Sequence, residues 1–194
     1  MRRLGALASC AWFALALGVG RNHAQSPASV LVVVNDNSPI SRSVAEYYAH
    51  RRMIPLSNVC HIRASIHEDI DRAAYDRDIA APIGAFLKKS GLVQSIFYIV
   101  TTSGFPLRIE GTSGLGGNAA SVDSELAALY FDLTQGKPHP VDGSLQNPFF
   151  GKNQLAFRHP EFPMYLVTRL TPMMSRASSE LWICPCARRI EVRS

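Results

Sequence analysis

The sequence predicts an α/β protein with an open, mostly parallel sheet and helices on both faces, a three-layer sandwich of the Rossmann-like or flavodoxin-like kind. Two observations predict this class. Apolar and β-branched runs, typical of strands buried on both faces, alternate along the chain with segments of helical periodicity. Turn and helix-capping residues separate these segments. Such alternation favours parallel strands joined by right-handed crossovers.

The predicted strands are the apolar runs of the chain. Val-Leu-Val-Val-Val at residues 30–34 has no polar side chain, and the run at 95–102 is dominated by apolar ones, which fits the interior of a parallel sheet. Further strands are predicted at residues 59–63, 106–109 and 165–169.

Three helices are predicted between these strands. Pro39 suits the first position of one helix, and Asp71 can cap a second. Pro82 lies inside the second helix and is expected to kink or divide it, because proline lacks the N–H that a helix interior requires. Ser121 can cap a third helix. Residues 135–163, rich in Pro, Gly and Asn, are expected to form an extended surface segment.

The N-terminus has the pattern of a secretory signal peptide over residues 1–24. Two arginines precede an apolar run at residues 4–20, and small residues follow, with cleavage expected after Ala24. The run is 17 residues long, which is short for a membrane span. We therefore expect an exported protein, periplasmic or extracellular, without a stable membrane span after cleavage. An uncleaved anchor and a lipidated Cys10 are the alternatives.

Charge and cysteine content argue against several classes of function. The formal net charge is +5, and it falls to +2 without the arginines of the predicted leader, so nothing indicates nucleic-acid binding. Cys60 lies in a predicted strand, and Cys184 and Cys186 are badly spaced for a mutual disulfide and lack the partners of a zinc site. The glycine-rich loop at residues 111–117 lacks Gly-Lys-Ser/Thr. Neither a metal nor a cofactor is predicted.

Candidate site residues follow from the fold. In an open parallel sheet, ligands bind outside the carboxyl ends of the strands, which selects the polar residues that follow the predicted strands. A carboxylate in such a crevice can act as a general base, so Asp36 and Asp123 are the catalytic candidates. The candidates for binding are the polar residues near them: Asn35, Asn37, Ser103, Arg108, Ser121 and Glu125.

Each of these candidates also has a structural explanation. Asp36 can serve a turn or a helix cap, and Arg108 an ion pair. Asp123 and Glu125 lie in the first turn of a predicted helix, where acids are stabilised by the helix dipole. Residues two apart on a helix point in different directions, so these two are not an obvious acid–base pair. Ser103 lacks the Gly-x-Ser-x-Gly surroundings of an activated nucleophile.

Several motifs, taken in order, resemble a known family. They are Val-Val-Val-Asn-Asp-Asn-Ser at residues 32–38, Glu-Tyr-Tyr-Ala at 46–49, Pro-Leu-Arg-Ile at 106–109 and, most specifically, Ala-Ser-Val-Asp-Ser-Glu-Leu at 120–126. Over about residues 29–170 the chain resembles an uncharacterised family of bacterial exported proteins from genomes that encode exosortase, a membrane protein-sorting transpeptidase. The resemblance implies an envelope context. It implies no activity, so no catalytic residue is carried over from it.

Members of that family continue with further domain sequence, whereas residues 171–194 of this chain show no helical or strand period. We therefore expect an α/β domain at residues 25–170 that is incomplete at its C-terminus, with a frameshift or premature stop after Leu170. A divergent natural tail is the alternative.

The leading functional expectation is an exported protein linked to envelope protein sorting or exopolysaccharide systems, with a hydrolase-like site at the strand ends. The first alternative is a non-enzymatic module that binds a peptide or glycan, with an envelope protein or glycan as its partner. The second is a cysteine peptidase of the caspase type. It is weakened because Cys60 lies within a strand and the chain contains no His-Gly pair.

Overall fold

The computed structural model describes residues 26–152, 155–174 and 181–183. The predicted leader and most of the predicted tail lie outside the described residues. The strands are β1 (Val30–Asn35), β2 (Val59–Ile62), β3 (Asp69–Ile70), β4 (Tyr98–Thr102), β5 (Arg108–Ile109), β6 (Ala120–Ser121), β7 (Leu166–Leu170), β8 (Pro172–Met174) and β9 (Leu181–Ile183). The helices are α1 (Pro39–Arg51), α2 (Arg72–Tyr75), α3 (Ala81–Lys89) and α4 (Val122–Gln135).

Four of the strands form the central sheet in the order β2-β1-β4-β7, and all neighbouring pairs are parallel. Val32 of β1 lies opposite Val59 on one side and Val100 on the other, so β1 is paired along both edges. The chain leaves β2 at the sheet edge and returns as β4 on the far side of β1. The topological switch point therefore lies between β1 and β4.

Helices cover both faces of the central sheet, which confirms the predicted three-layer α/β class. Successive residues of a strand point to opposite faces, so β1 contributes to two separate cores. Val32 packs in one core with Ala45 and Ala49 of α1. Leu31 and Val33 belong to the larger core on the opposite face, to which α3 and α4 contribute.

Side-chain caps begin three helices, two of them at the predicted residues Asp71 and Ser121, whereas Ser38 caps α1. The side-chain oxygens of Ser38, Asp71 and Ser121 each accept a main-chain N–H from the helix that follows, which satisfies one of its unpaired donors. Pro82 divides the second predicted helix, as expected. A π-helical turn, Asp76–Ala80, separates α2 from α3 directly before this proline, where the regular helical hydrogen bond has no donor.

Of the short strands outside the central sheet, only β5 falls within a predicted strand, at residues 106–109, because two or three residues by themselves carry no detectable periodicity. β3 pairs in parallel with β5, and β5 pairs antiparallel with β6, in a small second sheet. β8 and β9 form an antiparallel pair. Both segments lie within residues 171–194, where the sequence shows no strand period.

Between α4 and β7, the described residues 136–152 and 155–165 form no helix or strand, and they contact α4. Aromatic contacts hold them in place: the rings of Phe157 and Phe162 stack with 5.7 Å between centroids, and His159 stacks on Tyr130 of α4 at 3.8 Å. In the part of the chain that the structure describes, no helix has both the length and the apolar character needed to cross a bilayer.

Candidate functional site

The crevice at the switch point is bridged by Asn35, the last residue of β1. This side chain is fully buried, and its amide nitrogen donates to the main-chain oxygens of Gly104 at 2.8 Å and Ser65 at 3.3 Å. Its Oδ1 accepts the N–H groups of Asn37 and Ala64. The two donors and two acceptor positions of the amide are thus all used within the protein. Asn35 therefore joins the loops that follow β1, β2 and β4.

Further hydrogen bonds and close contacts hold these loops together. The hydroxyls of Ser41 and Thr102 lie 2.6 Å apart, and Ser41 also accepts the N–H of Asn35 at 2.8 Å. Gly104 has a φ of +88°, and a Cβ there would lie only 2.0 Å from Oγ of Ser38. The loop after β4 thus contacts the start of α1 directly. The position at which open α/β sheets commonly bind ligands is occupied here by the protein itself.

Asp36, the first residue after β1, is hydrogen-bonded to His61 near the end of β2. Its Oδ1 lies 2.8 Å from Nδ1 of His61, and the two side chains are 32% and 57% exposed. His61 lies opposite Val34 in the sheet and therefore shares the α1 face. Arg42 of α1 donates to the main-chain oxygen of Asp36. A carboxylate, an imidazole and a guanidinium thus meet at the carboxyl edge of the sheet.

A groove of about 730 Å³ extends from His61 along the line between α1 and β2. Most of its lining is apolar, including Met53 and Leu56, whose exposed fractions are 80% and 87%. Arg42 and Glu46 of α1 add charged groups to the wall. β2 is an edge strand of the central sheet, so its outer backbone groups are not used for pairing within that sheet. We call this feature the α1–β2 groove.

The second catalytic candidate, Asp123, is held by Arg169 of β7. The guanidinium donates from Nε to Oδ2 at 3.0 Å and from Nη2 to Oδ1 at 2.8 Å. It also donates to the main-chain oxygens of Phe105 and Pro106, and the hydroxyl of Thr101 donates to Oδ1 of Asp123 at 3.3 Å. This geometry joins α4, β4 and β7, and it leaves the carboxylate engaged by structural partners.

Glu125 points away from Asp123 and into a buried group of ionisable side chains, as their spacing on the helix predicts. Glu125 is 8% exposed, and its Oε2 accepts from Arg72 and lies 3.2 Å from Nε2 of His139. Nδ1 of His139 lies 2.9 Å from Oδ1 of Asp132. Since each ring nitrogen faces a carboxylate, both contacts are hydrogen bonds only when the imidazole is doubly protonated. Among the described residues, no group of His, Cys, Asp and Glu is arranged to hold a metal ion.

A cavity of about 750 Å³ opens beside Glu125, between α4 and the segment at residues 139–148. Glu125 and His139 form part of its wall, together with the hydroxyl-bearing residues Ser121 and Ser124. We call this feature the α4 cavity. Ser121 lies at its rim as the N-cap of α4, so the structure gives this binding candidate a structural role as well.

The remaining candidates for binding have structural contacts. Arg108 donates to both carboxylate oxygens of Asp69 across β5 and β3, at 2.6 and 2.9 Å, and these hydrogen bonds lower the pKa of the Asp69 carboxyl. Asn37 donates to a main-chain oxygen in the loop after β2. Ser103 contacts the main chain of Leu170 at the end of β7. None of these contacts brings Arg108 to Asp36 or Asp123.

Cys60 is a core residue. It is 1% exposed, and burial raises the pKa of its thiol to about 12, which disfavours the thiolate that a nucleophile requires. Its side chain points to the opposite face of the sheet from that of His61, because the two are neighbours in one strand. The other cysteines of the sequence lie outside the described residues.

Comparisons of the chain with protein-family models, with curated proteins and with solved structures find no significant match. The geometry of the site therefore carries the functional argument. The resemblance noted in the sequence stays an expectation about the envelope context.

The partners of the candidate acids are not predicted from the sequence. His61 lies 25 residues after Asp36, Arg169 lies 46 after Asp123, and His139 lies 14 after Glu125. No helical or strand period links residues at such separations. One signal was available for His61, which is a polar residue near the carboxyl end of a predicted strand, where the same rule that selected Asp36 applies.

Proposed function

We propose that the chain is a hydrolase of the bacterial envelope in which His61 is the general base and Asp36 holds it in position. The observation that carries this proposal is the 2.8 Å contact between Oδ1 of Asp36 and Nδ1 of His61, at the carboxyl edge of the sheet and at one end of the α1–β2 groove. The predicted signal peptide supports export, and the family resemblance supports an envelope context.

The chemistry follows from the tautomer that Asp36 selects. A carboxylate that accepts the N–H at Nδ1 leaves a lone pair on Nε2 of His61. Nε2 then removes a proton from a water molecule while the water oxygen bonds to the carbonyl carbon of the substrate. The protonated ring returns this proton to the leaving amine or alcohol when the scissile bond breaks. Because His61 is 57% exposed, water and substrate can both reach it.

The α1–β2 groove favours an extended substrate with apolar groups, such as a peptide or an acyl chain. An extended peptide beside β2 can pair with the free edge of this strand while its side chains enter the groove. Arg42 lines the same end of the groove as His61 and can donate to a carbonyl oxygen of the substrate. The scissile bond of such a substrate would lie near His61.

The test compares three variants on a panel of fluorogenic peptides and p-nitrophenyl esters. His61→Gln removes the base and is expected to lower kcat by about 10²–10⁴-fold, the usual contribution of a general base. Asp36→Asn replaces an acceptor by a donor, disfavours the required tautomer and is also expected to lower kcat. His67→Gln is the matched control, because it makes the same change at an exposed histidine in the following loop.

All three variants are expected to keep the melting temperature of the wild type, because their side chains are partly or largely exposed. Equal hydrolysis by the wild type and His61→Gln would overturn the assignment of the base. A wild type that cleaves no member of the panel would overturn the proposal of a hydrolase with this substrate class.

A non-enzymatic peptide-binding module is the second candidate function. The observation that favours it is that neither candidate nucleophile lies beside His61. Ser103 follows β4, which β1 separates from β2, and Cys60 faces the opposite side of the sheet from His61. A wild type that binds peptides in the α1–β2 groove without cleaving them would support this second function.

A further inference from the structure

The α4 cavity has the properties of a ligand site separate from His61. We propose that it binds an uncharged glycan. None of the residues that line the α1–β2 groove lines this cavity, so the two sites do not share a wall. This proposal therefore does not depend on hydrolysis at His61, and it assigns a partner of stated chemistry to a different surface of the fold.

The size of the cavity is that of a small-molecule site. Its volume is about 750 Å³, and ligand sites in proteins commonly measure about 300–1,000 Å³. One wall is the regular surface of α4, which is anchored in the main core through Leu126 and Leu129. The opposite wall is the segment at residues 139–148, together with Pro163 and Met164. The cavity thus lies between a regular helix, which fixes one wall, and an irregular segment, which gives the other wall its shape.

A buried carboxylate gives the cavity a fixed acceptor. Glu125 is 8% exposed and lines the cavity, and both of its hydrogen bonds, from Arg72 and His139, involve Oε2. Within the described part of the chain, no hydrogen bond engages Oε1. The side chain cannot rotate freely without breaking the contacts of Oε2. Oε1 is therefore an acceptor that the protein holds in place for a donor from outside, at little cost in conformational entropy.

Other polar groups of the wall can donate. Oγ of Ser121 donates to Oγ of Ser124 at 2.7 Å, and this leaves the hydroxyl hydrogen of Ser124 available for another acceptor. Oδ1 of Asn147 accepts the N–H of Phe149 at 2.9 Å, so the amide nitrogen of Asn147 retains its donors. The lining of the cavity thus carries both acceptors and donors. A hydroxyl group donates and accepts at one atom, so a ligand rich in hydroxyls can use both kinds.

Apolar surface accompanies these polar groups. Phe131 of α4, Leu145 and Met164 line the cavity, and Leu145 is 52% exposed. The C–H faces of a sugar ring can pack against such side chains while the hydroxyls reach the polar groups. This mixture of a mainly apolar lining with a few fixed polar groups is typical of sites for small molecules.

The charge of the wall favours an uncharged ligand over an anionic one. The residues that line the cavity include no Lys or Arg. The guanidinium of Arg72 is used by Glu125 and the main-chain oxygen of Asn118, and both ring nitrogens of His139 face carboxylates of the protein. A phosphate or carboxylate would therefore approach the carboxylate of Glu125 without an unengaged cation to compensate for the repulsion. An amine would be attracted there, and the test therefore includes one.

The experiment measures binding to the full chain by saturation-transfer NMR and titration. The probes are cellobiose and N,N′-diacetylchitobiose as uncharged glycans, glucuronic acid as an anionic sugar, and spermidine as a cationic amine. Ala128→Phe places a ring in the cavity and leaves the ionisable side chains around Glu125 unsubstituted. Ala73→Phe is the matched control, because Ala73 is exposed on α2 and does not line the cavity.

We expect at least one of the two disaccharides to bind, with a Kd at least tenfold higher in Ala128→Phe and unchanged in Ala73→Phe. Glucuronic acid is expected not to bind. If Ala128→Phe does not fold, Ser124→Ala, an exposed substitution at the cavity wall, is expected to raise the Kd at least threefold and decides instead.

Three results would overturn the proposal: neither disaccharide binds, the variants bind as the wild type does, or spermidine alone binds. His61→Gln is expected to bind the disaccharide as the wild type does. This comparison separates failure at the cavity from failure at the proposed hydrolytic site.

Discussion

Replacement of Asp123 by Asn distinguishes a structural carboxylate from a catalytic one. The carboxylate accepts two hydrogen bonds from Arg169 and one from Thr101, and these contacts join α4 to the two strands β4 and β7. The substitution keeps the shape of the side chain, removes its charge and turns an NH₂ group toward one of the guanidinium donors. The 14% exposed guanidinium then has no ion-pair partner among the described residues.

The expected loss is about 2 kcal/mol of unfolding free energy, since a hydrogen bond to a charged group contributes roughly 1.5–3 kcal/mol. The carboxylate is 33% exposed, so water partly replaces the lost partner and the lower half of that range applies. For a domain of this size, such a loss corresponds to a melting temperature lowered by about 4–8 °C. In a double-mutant cycle with Arg169→Gln, the two changes are expected to be less than additive.

The assay is urea denaturation at pH 7 followed by circular dichroism, with hydrolysis of the peptide panel measured in parallel. Asp69→Asn is the matched control, because Asp69 also accepts two hydrogen bonds from one arginine but in an exposed pair whose side chains are 42% and 67% accessible. This control is expected to leave the urea midpoint unchanged within error. An Asp123→Asn protein that keeps its stability and loses all activity would refute the structural interpretation.

Two further predictions concern buried titratable groups. In a protein whose other three cysteines are replaced by serine, Cys60 is expected to resist Ellman's reagent at pH 8 in the folded state and to react in urea. The reason is that burial raises the pKa of its thiol to about 12. Rapid reaction of the folded protein would contradict this. Burial also lowers the pKa of His159 below its usual 6.5, and its Nδ1 has no hydrogen-bond partner among the described residues. The unfolded chain therefore binds a proton at His159 more readily than the folded chain does. The stability contributed by neutral, buried His159 is complete above pH 6.5 and is lost as the pH falls below it. His159→Phe is expected to flatten the decrease in urea midpoint between pH 7 and pH 5, and an unchanged slope would count against this account.

The position of the candidate site departs from the usual one for this fold class. In many open α/β proteins the crevice at the switch point is empty and receives the ligand. Here Asn35 and Ser41 connect the loops around the crevice through hydrogen bonds. The side chains at the centre of the two proposed sites lie to either side of it. His61 lies toward the β2 edge, and Glu125 lies in the layer of helices on the opposite face. Because the loops of the protein fill the central crevice, both proposed sites lie on more peripheral surfaces.

Local features of the sequence determined most of the secondary structure. The apolar run of β1 and the caps Asp71 and Ser121 depend only on neighbouring residues, and each forms the predicted element. The division of the second helix at Pro82 follows in the same way from one missing N–H. The class of the fold was also predictable from the sequence, because strands buried on both faces are typical of a parallel sheet covered by helices.

Only the tertiary structure decided what each polar side chain does. Asp36 and Asp123 look alike in the sequence, as acids in segments that follow predicted strands, yet one meets an exposed His61 and the other the enclosed Arg169. Those partners are set by the strand order β2-β1-β4-β7, which brings distant segments to the same edge. Periodicity and capping act over a few residues, whereas a hydrogen bond between side chains requires their final positions in space. The sequence therefore identified the elements and the edge of the sheet, and the packing of the chain assigned the chemistry.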